Sequence, residues 1–393
     1  MNNSATMDLL SCFVNAIFSF LILLRLWRLR GRDMKIISGY YGSSSMIIVG
    51  LILLGNLSSL VVEVSQKDRH SFAAAIASFT ATALLCPLLY VEHVRSVRPA
   101  DLAVVFLLVS LVFDLISALK DAMDRWLLLV TKITLKLLLI VTESRSKQKL
   151  LLNPYDSQAP EQLAGVLSRT FFWWINPTLI SGNRIVLSGD TLPPIDDQLS
   201  SKQLRNRGLK AWGQRARPVT KITLPICLAK SMLLQFFAPV IPRLCLIFFR
   251  YAQPALISSA VHMLGEHSSG SRHILIIKAA AVYFGLAVFE AVYHHRLNRL
   301  SIMVKGTLVG LINNTSLRQP STAYNDGMAL TLISTDTESV MRFGSMFHET
   351  WAHVLEVIIG TAMLARQIRW AAPVPLVIIF RESSTSSLIA YGS

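Results

Sequence analysis

Two arginines seven residues apart form the charged pair whose spacing most clearly suggests ligand chemistry. Arg243 and Arg250 lie in the apolar stretch 231–264, and a helix places residues with this spacing on one face, about two turns apart. Backbone hydrogen bonding in this stretch is interrupted at Pro239, Pro242 and Pro254. If the face lined a cavity, Arg243, Arg250 and Gln253 would be candidates for an anionic substrate path. Alternatively, one or both arginines extend to lipid headgroups.

A second pair of cations, Lys132 and Lys136, lies one helical turn apart inside another apolar run. A charged group at the centre of a bilayer costs at least ~2.5 kcal/mol, so it normally faces protein or water. The sequence predicts that both lysines face neighbouring helices, with Asp114 as a candidate partner. A direct role in transport is the alternative.

The sequence does not predict a metal centre or a nucleotide site within these residues. In a zinc motif of the H-E-x-x-H type the histidines are four residues apart, whereas His348 and His353 are five apart. The cysteines form no C-x-x-C pair. No run matches G-x-x-x-x-G-K-[ST], the phosphate-binding loop of nucleotide hydrolases.

Composition indicates a chain solvated largely by lipid. Of the 393 residues 52% are hydrophobic and only 16% are charged, against about 25% charged in soluble domains. The net charge of +15 falls mostly between apolar runs, which argues against a nucleic-acid partner and favours membrane topology. We therefore expect an all-α, multi-pass integral membrane protein whose main partner is the lipid bilayer.

Eight apolar runs predict membrane spans, since about 20 apolar residues cross the hydrocarbon core. They are Met7–Leu24, Ser44–Val62, Phe72–Val91, Leu102–Leu119, Trp126–Val141, Ser231–Leu264, Ile274–Tyr293 and Met346–Leu364, and Trp370–Phe380 resembles the start of a ninth. With the N-terminus outside, cytosolic segments hold 24 of the 38 Lys and Arg residues and the opposite side holds seven. By the positive-inside rule this predicts a cytosolic linker at Arg145–Lys221.

The linker contains four consecutive aromatic residues, Phe171 to Trp174, near cations and in a run too short to cross a membrane. Aromatic side chains favour the headgroup zone, so an elbow helix lying along the cytosolic face is predicted. A helix packed within a small soluble domain is the alternative.

Two stretches carry a family resemblance. Ser168–Asp197 reads SRTFFWWINPTLISGNRIVLSGDTLPPIDD and resembles the elbow region of fungal ABC transporters of the C subfamily, the multidrug-resistance-associated proteins. Tyr324–Ile379 is similar to the first intracellular loop and following helices of that family's first transmembrane domain. The five spans before the linker match the family's additional N-terminal domain.

The resemblance implies an ATP-driven exporter of organic anions, conjugates or secondary metabolites. It also implies a short coupling helix near Thr322–Met328, which docks on a nucleotide-binding domain. The coupling-loop candidates are Asp326, Gly327 and Asp336, with Gly327 expected to end or turn the short helix. ATP and magnesium are expected only for a full-length family member, so no cofactor is expected in this chain.

The predicted organisation has four parts. They are a five-span membrane domain (1–143), the cytosolic linker with its elbow (144–221), three to four helices of a first ABC transmembrane domain (222–380) and an aberrant polar tail (381–393). This pattern suggests a truncated exporter that is inactive alone. Whether the chain has enzymatic activity is left open.

The alternatives are an accessory or regulatory membrane subunit and an unrelated multi-span receptor or enzyme. A nucleotide-binding domain in trans is a conceivable partner. The expected location is the plasma membrane or the vacuolar membrane, where efflux of a small organic anion or metabolite takes place.

Overall fold

The computed structural model describes residues 3–36, 41–66, 69–118, 126–153, 155–215, 219–220, 222–265, 270–318 and 326–368. Regular secondary structure in these ranges is helical, apart from one isolated antiparallel bridge between Ile36 and Leu151. The chain divides into two compact units, Met1–Asp196 and Asp197–Ser393, so the predicted linker contributes residues to both. The predicted ninth span, Trp370–Phe380, and the tail, Arg381–Ser393, lie outside the described residues.

In the part of the first unit that the structure describes, five long helices form a bundle and three short helices follow. They are α1 (Asn3–Leu29), α2 (Tyr41–Gln66), α3 (Arg69–Arg95), α4 (Asp101–Ala118), α5 (Trp126–Ser144), α6 (Pro160–Leu163), α7 (Val166–Thr170) and α8 (Asn176–Arg184). Helix α3 packs against α1 and α2, and α5 packs against α2 and α4. Buried aliphatic side chains such as Ile52, Leu88 and Leu107 form its core. Many other aliphatic side chains point outward, as expected for helices solvated by lipid.

Both lysines of α5 face the interior of this bundle, as predicted. Lys136 is buried and forms an ion pair with Asp114 of α4, and its Nζ also donates to Ser110 Oγ at 2.6 Å. Lys132 is also buried and donates to Ser59 of α2 rather than to the predicted Asp114. The two cations therefore join α5 to different neighbours.

One end of the bundle gathers the ends of α1, α3 and α5. Arg25 Nε lies 2.7 Å from Glu92 Oε1, and Lys147 Nζ donates to the Glu92 carbonyl at 3.4 Å. Burial lowers the pKa of the Lys147 ammonium. At the opposite end, Ser71 Oγ donates to Asp8 Oδ2 at 3.0 Å. The contacts of Arg25, Glu92 and Lys147 therefore lie at the end that the charge distribution assigns to the cytosolic side, and Asp8 and Ser71 lie at the opposite end.

Hydrogen bonds and an ion pair connect the beginning of the predicted linker to this bundle. Asp101, the first residue of α4, accepts a hydrogen bond from the Val166 backbone N–H at 2.6 Å and forms an ion pair with Arg169. Arg98 Nε donates to the Gln162 carbonyl at 3.0 Å. The segment that contains α6 and α7 therefore belongs structurally to the first unit.

The predicted elbow is two helices rather than one. Helix α7 ends at Thr170, Phe172 adopts a left-handed backbone with φ of 58°, and a 3-10 turn then leads into α8 at Asn176. A side chain at positive φ is sterically disfavoured and interrupts a regular helix. The aromatic cluster therefore lies at the break between α7 and α8, with Trp173 55% exposed, and the placement of the elbow along the cytosolic face stays a prediction.

The second unit contains the remaining helices. They are α9 (Ser201–Gly213), α10 (Thr223–Ser231), α11 (Leu233–Phe237), α12 (Val240–Gly265), α13 (Gly270–Ser316), α14 (Asp326–Thr331) and α15 (Thr337–Ile368), with a π-helical turn at Leu332–Asp336. Helix α13 packs against α9, α12 and α15, and α12 also contacts α15. Leu204 of α9 is buried with Met303 and Leu308 of α13.

Among the described residues, five segments are long and apolar enough to cross a membrane: Met7–Leu29, Ser44–Val64, Ser71–Arg95, Leu233–Met263 and Leu275–Ser316. They correspond to five of the eight predicted spans. Helices α4, α5 and α15 contain three others, whose crossing of a membrane remains a prediction. Helix α13 extends well past the predicted end at Tyr293, because buried residues at helical spacing continue through Leu297, Leu300 and Met303.

Candidate functional site

The two candidate arginines of α12 converge on one carboxylate of α15. Glu356 Oε1 lies 2.9 Å from Arg250 Nη1 and 3.4 Å from Arg243 Nη2. The Arg243 and Glu356 side chains are only 7% and 13% exposed, whereas the Arg250 side chain is 44% exposed. The arrangement therefore has a buried half at Arg243 and an open half at Arg250.

Close contact between α12 and α15 makes this convergence possible. The Tyr251 hydroxyl donates to the Glu356 carbonyl oxygen, so it joins the backbone of α15 to α12. Gly360 lies one turn beyond Glu356, and a Cβ atom there would approach the Tyr251 oxygen to 3.0 Å. A small residue at this position permits the helices to approach closely, as is common between membrane helices.

A third helix supplies an aromatic face to the buried arginine. The Arg243 guanidinium lies 5.2 Å from the centre of the Tyr293 ring of α13, a cation–π distance. Within the described part of the chain, the buried Arg243 Nε and Tyr293 Oη atoms have no hydrogen-bond partner. Buried polar atoms are normally paired, so these two donors could contribute to binding an additional acceptor.

The surrounding groups adjust the charge of the cluster. His353 Nδ1 lies 3.1 Å from Glu356 Oε2, one turn earlier on α15. We call Arg243, Arg250, Tyr293, Glu356 and His353 the arginine–glutamate cluster. Its two guanidiniums share a carboxylate, and an incoming anion would therefore compete with Glu356 for them.

The structure thus modifies the picture of a bare cationic stripe. It brings Arg243 and Arg250 together around Glu356, and the alternative that one or both arginines extend to lipid headgroups also stays a prediction. Gln253 is half-buried on α12, and the contacts of the cluster described above do not include it. The roles of the three residues in a substrate path remain predictions.

Sequence reasoning missed Glu356, although a signal for it was present. It is a lone carboxylate in the apolar run that follows His353, in the predicted span Met346–Leu364. An ionisable residue inside a membrane segment is expected to have a partner on another helix. Searching the other predicted spans for cations would have suggested Arg243 and Arg250.

The coupling-loop candidates lie together before α15. Residues 322–325 of the predicted short helix are outside the described residues, while Asp326 and Gly327 begin α14 and Asp336 ends the π-helical turn. Gly327 lies at the beginning of α14, and its expected role in ending or turning a helix near Thr322–Met328 stays a prediction. A glycine inside a helix costs only about 1 kcal/mol relative to alanine, and α14 continues to Thr331.

The π-helical turn joins α14 to α15 without a break. Thr337 Oγ1 donates to the Leu332 carbonyl at 2.8 Å, and Thr337 is buried. On the next residue, Glu338 lies 4.0 Å from Lys305 of α13. Asp336 therefore lies at a local irregularity next to the α13–α15 contact, a position where a rearrangement of α14 could be transmitted to α15.

The chain is similar in sequence to ABC transporters of fungi. No family model matches it. It is 31% identical over 382 residues to the ABC transporter ecdL of Aspergillus rugulosus, covering 93% of this chain and 24% of that protein. It is 28% identical to the ABC transporter atnG of Emericella nidulans, covering 97% of this chain and 25% of that protein.

A third relative, the ABC multidrug transporter B of Aspergillus fumigatus, is 27% identical over 90% of this chain and 25% of its own length. The chain therefore spans about a quarter of the length of these curated relatives. Together with the five membrane-length helices, these similarities identify an all-α integral membrane protein with homologues among fungal ABC transporters.

Proposed function

We propose that these residues form a membrane-spanning portion of an ATP-driven exporter of the C-subfamily type. The observation that carries this proposal is similarity to ABC transporters over 93% of the chain, combined with five helices of membrane length. The resemblance of Ser168–Asp197 and Tyr324–Ile379 to the elbow and first intracellular loop supports the C-subfamily assignment.

The energy source lies outside these 393 residues. They do not contain the phosphate-binding run that ATP hydrolysis needs, so the residues present do not fit a nucleotide site. Nucleotide-binding domains, on the same polypeptide or in trans, supply ATP hydrolysis. Helix α14 and the π-helical turn, with Asp326, Gly327 and Asp336, form the coupling contact to such a domain.

The substrate class is organic anions, including conjugates and anionic metabolites. In the arginine–glutamate cluster, Arg250 is partly exposed and can meet an anion before Arg243, which is buried against Tyr293. As the anion displaces Glu356, Arg243 Nε and Tyr293 Oη offer further donors. Guanidinium donors suit carboxylate, sulfate and phosphate groups because their paired N–H bonds match two oxygens.

Uptake into inside-out vesicles tests the exporter proposal. Three preparations are compared: the chain alone, the chain with the unmatched remainder of the Aspergillus rugulosus relative as a second polypeptide, and that remainder alone. We expect ATP-dependent uptake of a glutathione conjugate only when both polypeptides are present. Vesicles are prepared separately from plasma-membrane and vacuolar-membrane fractions. The fraction that contains the chain then identifies its membrane.

Two outcomes would contradict the proposal. Co-purification of the two polypeptides without uptake of the conjugate would instead favour an accessory subunit that binds a partner without transporting. Uptake by the chain alone in the absence of ATP would show a different transport mechanism. The matched control is a Walker A lysine variant of the remainder, which must abolish uptake while preserving co-purification.

A further inference from the structure

A second cationic feature lies apart from the arginine–glutamate cluster, between α9 and α10. A cavity of about 610 Å³ opens there, and its lining includes four cationic side chains: Arg207, Lys210, Arg215 and Lys230. Among the described residues that line it, there is no Asp or Glu. We call this cavity the basic pocket. A cleft lined by charges of one sign concentrates the opposite charge.

The polar groups of the basic pocket are held in place by their own contacts. The Arg215 guanidinium lies 4.4 Å from the centre of the Trp212 ring, and its Nη1 donates to the Trp212 carbonyl at 2.9 Å. The Arg215 Nε atom is buried and has no hydrogen-bond partner in the part of the chain that the structure describes. Thr220 and Thr223 pair through their hydroxyls at 3.0 Å. Donors with little freedom to move are suited to a compact anion.

The position of the basic pocket favours a lipid as the source of that anion. Helix α10 ends at Ser231, and the membrane-length segment begins at Leu233. Ile226 belongs to the lining and is 47% exposed, and Leu233 and Leu234, 54% and 84% exposed, follow it toward that segment. The pocket therefore lies at the end of the predicted cytosolic linker, its lining includes the exposed Ile226, and exposed leucines follow in sequence at the start of the membrane-length segment.

We infer that the basic pocket binds a phosphorylated anion, supplied by the headgroup of an acidic membrane lipid. Arginine and lysine donors recognise phosphate oxygens, and basic pockets beside membrane helices on the cytosolic side bind phosphorylated headgroups. The acyl chains lie along Ile226 and Leu234. Bound lipid joins α9, which packs on α13, to α10, which leads into the membrane.

Binding of a fluorescent short-chain phosphatidylinositol 4-phosphate to the purified full chain in detergent tests this inference. We expect saturable binding that a fluorescent phosphatidylcholine does not show. The double variant Lys210→Gln/Lys230→Gln removes two charges from the pocket and weakens binding at least tenfold, since each cation near an anionic lipid contributes about fivefold. The matched control, Arg184→Gln/Lys202→Gln, removes two exposed charges outside the pocket and leaves affinity unchanged.

Competition with soluble inositol 1,4-bisphosphate distinguishes the two sources of phosphate. If inositol 1,4-bisphosphate displaces the lipid probe only weakly, the anion is the headgroup of a lipid. If it binds as tightly as the lipid probe, the phosphate site is supported but its ligand is a soluble phosphate. Equal loss of binding in the pocket and control variants, or no saturable binding to either phosphorylated probe, would overturn the inference. Thermal unfolding of all variants confirms that they are folded before affinities are compared.

Discussion

Glu356 Oε1 lies 2.9 Å from Arg250 Nη1 and 3.4 Å from Arg243 Nη2, so two arginines of α12 share a carboxylate of α15. The shared ion pairs hold α12 against α15. An incoming anion could replace Glu356 as the partner of either arginine. Removing one member of a buried ion pair costs far more than the pair contributes, because the remaining charge is left uncompensated.

Replacing Glu356 with Gln is therefore expected to destabilise the second unit by roughly 3 kcal/mol, because Arg243 stays buried without its carboxylate. Thermal unfolding in detergent measures the effect. Glu338→Gln is the control, since its 4.0 Å pair with Lys305 is about half exposed and should change stability by less than about 1 kcal/mol. Equal unfolding temperatures for the two variants would show that the shared carboxylate has no structural role.

The Lys136–Asp114 pair in the first unit predicts a non-additive response. Asp114→Leu and Lys136→Met each leave one charge of the pair without its partner and should each cost about 3 kcal/mol. The double variant Asp114→Leu/Lys136→Met removes both charges and should recover most of that loss. A double-mutant cycle by thermal unfolding provides the measurement. Additive losses would contradict the assignment of Asp114 as the partner of Lys136.

Packing of α12 against α13 predicts a strong effect at Gly285. A Cβ atom there would lie 2.6 Å from the Phe249 ring, which stacks on Phe289 at 5.6 Å between ring centres. Gly285→Ala should therefore destabilise the second unit by about 1–3 kcal/mol through overpacking. Gly344→Ala in α15, where nothing lies within 4 Å of the added atom, should be neutral or stabilising by up to about 1 kcal/mol. Thermal unfolding that ranked the two variants in the opposite order would contradict the α12–α13 contact.

The predicted membrane orientation can be tested with single cysteines. Ser71→Cys lies at the end of the first bundle that contains Asp8, and Ser146→Cys follows α5 at the end that contains Glu92. In a background without the natural cysteines, a membrane-impermeant maleimide should label Ser71→Cys in intact cells. It should label Ser146→Cys only after permeabilisation. The reverse pattern would invert the topology derived from the positive-inside rule.

Parts of this fold follow directly from the sequence because they depend on local properties. Apolar run length predicted eight spans, and five of them coincide with the membrane-length segments among the described residues. The cost of an intramembrane charge predicted that Lys132 and Lys136 face neighbouring helices with Asp114 as a candidate partner, and Asp114 pairs with Lys136. Both inferences need only hydropathy and helical spacing.

Other parts depend on tertiary contacts that spacing does not reveal. Glu356 is distant in sequence from Arg243, so their pairing requires knowing that α12 contacts α15. The left-handed backbone at Phe172 breaks the elbow although the residue type gives no signal for it. Likewise, α13 continues beyond the membrane-length prediction because Met303 and Leu308 pack with Leu204 of α9.

The effect of Arg250→Gln on transport by the assembled two-polypeptide system tests whether the arginine–glutamate cluster binds substrate. We expect the apparent KM for an anionic conjugate to rise about tenfold, because one charge-assisted contact is lost. Transport of an uncharged substrate by Arg250→Gln should not change. The control variant Lys278→Gln removes an exposed cation from α13 and should leave transport of the anionic conjugate unchanged. An unchanged KM for the anion, or an equal loss for the uncharged substrate, would contradict a substrate-binding role for the arginine–glutamate cluster.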